Sequence, residues 1–135
     1  MATQTVQTIT RKYSDLDLNF IAHPVTKDIS TLVNETAVIR SLRNLILTGF
    51  YERPFHPEIG SGVKQSLFEN ATPVTAQVLR QSIQEVITNF EPRVKVKDII
   101  VEMTPDQNQF QVILSFYIQN QTQPTTVTFF LQRAR

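Results

Sequence analysis

Phe110-Gln111-Val112-Ile113-Leu114-Ser115-Phe116-Tyr117-Ile118 is the stretch that decides the fold. Phe110, Val112, Leu114, Phe116 and Ile118 recur at every second position without a break, the period of a strand with one buried face. Beyond it a polar loop containing Pro124 leads to a second alternating run. There Val127, Phe129 and Leu131 are expected to face the core, with Thr126, Thr128 and Phe130 facing outward. On the other side, Pro105-Asp106-Gln107-Asn108 has turn chemistry. It follows a third run, Val94, Val96, Ile99, Val101 and Met103, whose phase slips at Lys97-Asp98 as at a β-bulge. These three runs predict a C-terminal three-stranded meander.

Further towards the N-terminus the period changes from 2 to 3.6. Thr72 followed by Pro73 predicts a capped helix start, because proline at the first helical position loses no hydrogen bond. The apolar stripe Val78, Leu79, Ile83, Val86, Ile87 and Phe90 carries this helix to Pro92, which biases Glu91 out of the helical region. Its outer face of Gln77, Gln81, Gln84, Glu85 and Thr88 is polar and nearly uncharged. An earlier helix is expected from Asn34 as side-chain cap to about Thr48, with Glu35 in the first turn and Gly49 as C-cap. Val38, Ile39, Leu42, Leu45 and Ile46 form its core stripe, and Arg40, Arg43 and Asn44 a basic outer face. The expected class is α+β, with two main helices packed on one face of a small, mainly antiparallel sheet.

Residues 50–70, punctuated by Pro54, Pro57, Gly60 and Gly62, are too apolar for a solvated tether and predict an ordered loop. Leu16, Leu18 and Phe20 alternate with Asp15, Asp17 and Asn19, which predicts a short half-buried strand or extended entry with the apolar residues inward. A second extended stretch, Asp28 to Val33, places Ile29 and Val33 on one side. Residues 1–12, rich in Thr and Gln, are expected to be a flexible or partner-ordered arm ahead of one domain, 13–135.

Composition narrows the functions. Leu, Ile, Val and Phe supply about a third of the residues, enough for a packed core in a 135-residue chain. Thirteen basic against twelve acidic side chains leave a net charge of +1, without the basic footprint of a nucleic-acid binder. No cysteine is present, so disulfides and thiolate metal sites are excluded, and two histidines offer little for zinc. No apolar run approaches the ~20 residues of a bilayer span. No secretory signal is visible in residues 1–10, and synthesis for the cytosol or a particle assembled there is the default expectation. No cofactor, nucleic-acid or membrane partner is therefore expected.

Candidate chemistry is sparse. Gly60-Ser61-Gly62 lacks the spacing of a phosphate loop and predicts a turn. His56 and Glu58 stand two apart with no third ligand at suitable spacing, and a loop hydrogen bond is the expected use. Glu52, Glu58 and Glu69 share the central loop and are the candidates for a glycosidase-like carboxyl pair, but no feature singles out a catalytic acid among them. Arg40 and Arg43 read as a solvated face or as a partner-binding face. Glu91-Pro92-Arg93 is a stiff corner with both charges on one side, equally suited to docking and to a local salt bridge. If it is exposed, as a helix end suggests, truncating either charge costs the fold within ~0.5 kcal/mol.

Four segments in order carry a resemblance: Tyr13-Ser14-Asp15-Leu16-Asp17, the loop Arg53-Pro54-Phe55-His56-Pro57-Glu58-Ile59-Gly60, the stretch Leu67-Phe68-Glu69-Asn70 with Thr72-Pro73, and the corner Glu91-Pro92-Arg93. Together they resemble the baseplate wedge family of contractile-tailed bacteriophages, whose members are described as sheath initiators and were historically labelled lysozyme-like. The likeness runs from about residue 13 to the C-terminus. It implies a non-enzymatic virion subunit of the tail baseplate, made in the host cytoplasm, that links the wedge core to the first sheath ring and initiates sheath assembly. It further implies that Glu91, Pro92 and Arg93 dock on a helical bundle of larger wedge proteins. The sheet, at Thr126, Thr128 and Phe130, would pair with strands of the tail sheath protein, with Arg40 and Arg43 as the alternative face and the tail tube as a further neighbour. Related subunits serve type VI secretion and extracellular injection particles, and a peptidoglycan-degrading tail lysozyme is the enzymatic alternative.

Overall fold

The computed structural model describes residues 13–104, 109–119 and 121–132. The expected arm at residues 1–12 and the turn at 105–108 lie outside the described residues. Numbered from the start of the chain, the elements are β1 Ser14–Leu16, β2 Thr31–Val33, α1 Asn34–Leu47, α2 Val63–Ser66, α3 Pro73–Phe90, β3 Val94–Thr104, β4 Gln109–Ile118 and β5 Thr125–Gln132, and the C-terminal sheet is made of β3, β4 and β5.

β4 alternates between buried and partly exposed residues along its whole length. Phe110, Val112, Leu114, Phe116 and Ile118 sit beneath α1 and α3 in one core with Leu42, Ile46, Leu79, Ile83 and Ile87. Both neighbours of β4 are antiparallel, in the order β3-β4-β5. The bulge read at Lys97-Asp98 is present as a register shift between Val96 and Asp98. It returns Ile99 to the core side, opposite Leu114, after Val96 has paired with Phe116. In β5, Phe129 and Leu131 are buried and Val127 is half-buried, while Thr126, Thr128 and Phe130 point away from the helices. The expected α+β class, with a three-stranded C-terminal sheet and two main helices, is the observed one.

α3 begins where its sequence signals place it. Thr72 Oγ1 accepts the Thr75 N–H at 3.2 Å, and Pro73 occupies the first helical position. The helix ends at Phe90, and Glu91, at φ −124° and ψ 81°, is out of the helical region. One stripe residue differs from expectation: Val78 is exposed, because it lies at the margin of the arc whose centre is Leu79 and Ile83.

The start and end of α1 differ as well. Asn34 makes no side-chain cap; it adopts a left-handed φ of 52° and donates its N–H to the Tyr13 carbonyl at 2.7 Å. Asparagine tolerates that conformation better than most residues. The helix is thus anchored to the residue preceding β1 rather than to its own cap. Gly49 is not a left-handed C-cap either, since no glycine has positive φ. Thr48 ends the helix in extended backbone and hands the chain to a bridge between Gly49 and Ser61.

The bridge explains the ordered loop. Ser61 N–H donates to the Thr48 carbonyl at 2.8 Å, and its Oγ donates to the Ile46 carbonyl at 2.6 Å. Gly60 lies so close that an added Cβ would come within 2.6 Å of the Gly49 carbonyl carbon and oxygen. Two backbones cannot move apart here without breaking the bridge. Gly60→Ala is therefore expected to lower unfolding stability by about 1 to 3 kcal/mol in urea denaturation. Gly49→Ala should cost less, because there the new methyl meets the movable Glu52 carboxylate first.

Candidate interaction surfaces

Arg93 is the centre of the most connected polar site in the described residues. Its Nε and Nη2 donate to the two carboxylate oxygens of Glu91 at 2.7 and 2.9 Å, a bidentate pair. Ser41 Oγ of α1 donates to Glu91 Oε2 at 2.7 Å, and Arg93 also reaches Asp15 of β1 at 3.5 Å. The guanidinium lies 5.5 Å from the Tyr13 ring centroid, within cation–π range. Four parts of the chain thus meet at one ion pair: the N-terminal hairpin, α1, the end of α3 and the start of β3.

This arrangement corrects the expectation of an exposed charged corner. Glu91 is only 4% exposed, and its carboxylate is fully engaged inside the subunit. Pro92 alone of the three is openly exposed, with Arg93 part-buried. Burial by itself would push the Glu91 carboxyl up, but the hydrogen bonds from Arg93 and Ser41, together with the Arg93 charge, hold it below the ordinary carboxylate range. Glu91 in turn holds Arg93 more firmly protonated, against the opposing effect of burial.

The N-terminal hairpin also reverses its predicted facing. β1 pairs with β2 from Ser14↔Val33 to Leu16↔Thr31. Asp15 and Asp17 turn inward, to Arg93 and Arg40 respectively, while Leu16, Leu18 and Phe20 are exposed. Alternation identified the two sides correctly, but the guanidinium groups across the fold claim the acidic side. Ile29 and Val33, expected together on one side, are exposed too. With Arg53, Leu45 and Phe90, Leu16 and Leu18 line a cleft of about 380 Å³ beside Glu91.

α1 separates its two arginines. Arg40 bonds Asp17 at 3.5 Å and is not part of a free basic face. Arg43 is exposed and lies with Leu47 beside β5 residues 128–131. Sequence reasoning offered Arg43 and β5 as alternatives, and the fold brings them together.

The central loop displays aromatic side chains. Tyr51 and Phe55 have φ of 66° and 68°, an uncommon conformation for bulky residues, and are 85% and 96% exposed. Two of its acids are occupied: Glu52 accepts from Lys64 Nζ and the Gly49 N–H, and Glu58 is 3.1 Å from His56 Nδ1. Hydrogen bonds, from Lys64 and Gly49 for Glu52 and from the Glu58 N–H and His56 for Glu58, hold both carboxyls below the ordinary range. Glu69 is exposed. His23 Nδ1 accepts the N–H groups of Val25 and Thr26, so both histidines serve local turns. No group of three or more His, Asp or Glu among the described residues could hold a metal.

The described residues form a helix layer over a three-stranded sheet whose outer strand β5 pairs with β4, and they leave apolar side chains exposed on the N-terminal hairpin. Residues 33–124 match the family model described as baseplate wedge protein gp25. A curated relative, baseplate wedge protein gp25 of Enterobacteria phage T4, is 32% identical over 106 residues, 78% of each chain. The chain belongs to the gp25 baseplate wedge family and is a structural subunit of contractile tail baseplates. Solved structures with the same fold include the anti-feeding prophage baseplate (22% identity, TM-score 0.63, 92% of this chain and 88% of the other). The post-contraction pyocin R2 baseplate is similar at 15% identity and TM-score 0.61, over 80% of this chain and all of the other. A Geobacter sulfurreducens protein described as a "putative tail lysozyme" shares the fold at 14% identity and TM-score 0.67, over 73% of this chain and 89% of the other.

Removing one partner of a buried, hydrogen-bonded ion pair leaves the other charge unsatisfied. Glu91→Ala is accordingly expected to cost the isolated subunit about 3 kcal/mol in urea denaturation, far above the surface value. The pH dependence has a definite sign. Because the folded-state pKa of Glu91 is depressed, its contribution is complete above the unfolded carboxylate value and is lost as pH falls through the lower folded value. Glu91→Gln should therefore flatten the acid limb of the stability–pH curve, and an unchanged limb would show that other carboxylates control it.

Proposed function

We propose that this subunit starts sheath assembly on a contractile phage tail, by offering the free edge of β5 to extended segments of sheath subunits. The observation that carries the reading is the state of that edge. β5 is the terminal strand of the β3-β4-β5 sheet and, among the described residues, pairs only with β4, while outward-facing Phe130 is 60% exposed. An edge strand presents unpaired N–H and C=O groups to any extended chain that arrives in register. Pairing there supplies main-chain affinity and copies strand direction into the next ring.

The wedge-core contact is proposed at the Glu91-Pro92-Arg93 corner, in an altered form. Glu91 and Arg93 shape the corner from within, and Pro92 with the remaining Arg93 surface meets the larger wedge proteins. The adjoining leucines of the hairpin extend that contact. A phage tail is favoured over a type VI or extracellular injection particle by the phage T4 relative, whose identity exceeds that of the two particle structures.

A muramidase role has little chemical support. Glycoside hydrolysis requires one carboxyl kept protonated near neutral pH, with its pKa raised. Glu52 and Glu58 are shifted in the opposite direction. The purified subunit should release no reducing sugar from peptidoglycan. Turnover that disappears in Glu52→Gln, Glu58→Gln or Glu69→Gln would overturn the structural reading.

Particles assembled with Thr128→Pro test the sheath role directly. Proline removes a backbone donor from the edge strand and stiffens it. The expected product is a complete baseplate carrying a bare tube in electron micrographs, with circular dichroism showing the subunit still folded. A sheath of normal length on such particles would move the initiating surface away from β5.

A further inference from the structure

A cleft of about 190 Å³ lies between α1 and the edge strand β5. Arg43, Ile46 and Leu47 form one wall, and residues 128–131 the other. The other helix arginines already have carboxylates: Arg40 holds Asp17 and Arg80 holds Asp98. Arg43 has none among the described residues, and its neighbour Leu47 is left partly exposed.

A strand added beside β5 has side chains that point alternately to the two faces of the sheet. One set joins Thr128 and Phe130 on the open face. The other set turns towards the helices and passes over Leu47 and Arg43. Main-chain pairing supplies affinity but accepts almost any sequence, whereas alternate side chains in fixed pockets select among strands. We propose that Arg43 and Leu47 make β5 a sequence-selective acceptor. The partner strand carries a carboxylate opposite Arg43, with aliphatic residues two positions to either side covering the apolar floor. The occupant is thus an extended segment of another protein with an aliphatic-acidic-aliphatic pattern on one face. Arg43 acts as a specificity residue, since a cation or amide in that position leaves the guanidinium without its counter-charge. This inference rests on the reading of β5 as a strand acceptor.

The test titrates the isotope-labelled full chain with three synthetic peptides at up to millimolar concentration, following backbone amide shifts by NMR. The first is acetyl-Lys-Thr-Val-Thr-Glu-Thr-Val-Thr-Lys-amide, and the others carry Gln or Lys in place of the central Glu. Shifts should concentrate on β5 and the second half of α1, and the Glu peptide should bind roughly two- to fivefold tighter than the Gln peptide, the range of a partly exposed ion pair. Arg43→Gln, at an exposed helix position, should erase that difference, and Arg43→Glu should transfer the preference to the Lys peptide. Binding at β5 with equal affinity for all three peptides would overturn the selectivity and leave strand acceptance standing. Shifts confined to other surfaces would overturn strand acceptance as well. Concentration-dependent dimerisation through β5 without peptide would assign the cleft to a second copy and also overturn the proposal.

Discussion

The inward face of β4 is sealed beneath α1 and α3, and that one-sided burial determines what the remaining elements can do. Phe110, Val112, Leu114, Phe116 and Ile118 cannot leave the core without exposing five large side chains together. Because β4 is central, its two neighbours are both edge strands. β3 also faces its helix, α3, across a cleft of about 720 Å³, but it breaks its ladder with a bulge at Lys97, which discourages regular pairing. β5 has an unbroken register from Thr125 to Gln132 and meets the helix layer across an open cleft. The same burial that stabilises the domain therefore leaves β5, among the described residues, as an edge strand with a regular ladder on one side only.

A second constraint acts at the opposite end of the helices. The Glu91–Arg93 pair closes the junction between α3 and β3, and through Ser41, Asp15 and Tyr13 it fixes α1 and the N-terminal hairpin to that junction. The hairpin is consequently held by charge rather than by its leucines. Leu16, Leu18 and Phe20 remain exposed, together with the loop aromatics Tyr51 and Phe55. For a free-standing globule this would be a poor use of apolar residues. In a baseplate subunit such groups are available for burial against neighbouring proteins.

The two regions also differ in how they tolerate change. At the bridge of Gly49 with Ser61, backbone atoms are in contact and the limit is steric. At Glu91 it is electrostatic, since a buried carboxylate must retain both its guanidinium and its hydroxyl donor. Along β5 neither limit applies to the outward side chains, so that surface can follow a partner's requirements with little effect on folding.

Local rules made much of the architecture legible in the sequence. The period of β4 and β5, the bulge after Val96, the Thr72-Pro73 helix start and the stop before Pro92 each depend on neighbours within a few residues. The order of the four short motifs, equally, is a property of the chain as written. Facing and partnership depended on distant groups instead. Alternation in residues 15–18 separated aspartates from leucines, but only the approach of Arg93, 78 positions from Asp15, decided that the aspartates turn inward. Ser41 and Glu91 are 50 positions apart, and nothing local indicated that the corner would be buried. Arg43 likewise acquired its place beside β5 only through helix packing over the sheet. An amino-acid sequence specifies the chemistry of each side chain and the period of each element; tertiary structure decides which charges come within reach of one another, because electrostatic partnership is governed by distance in space.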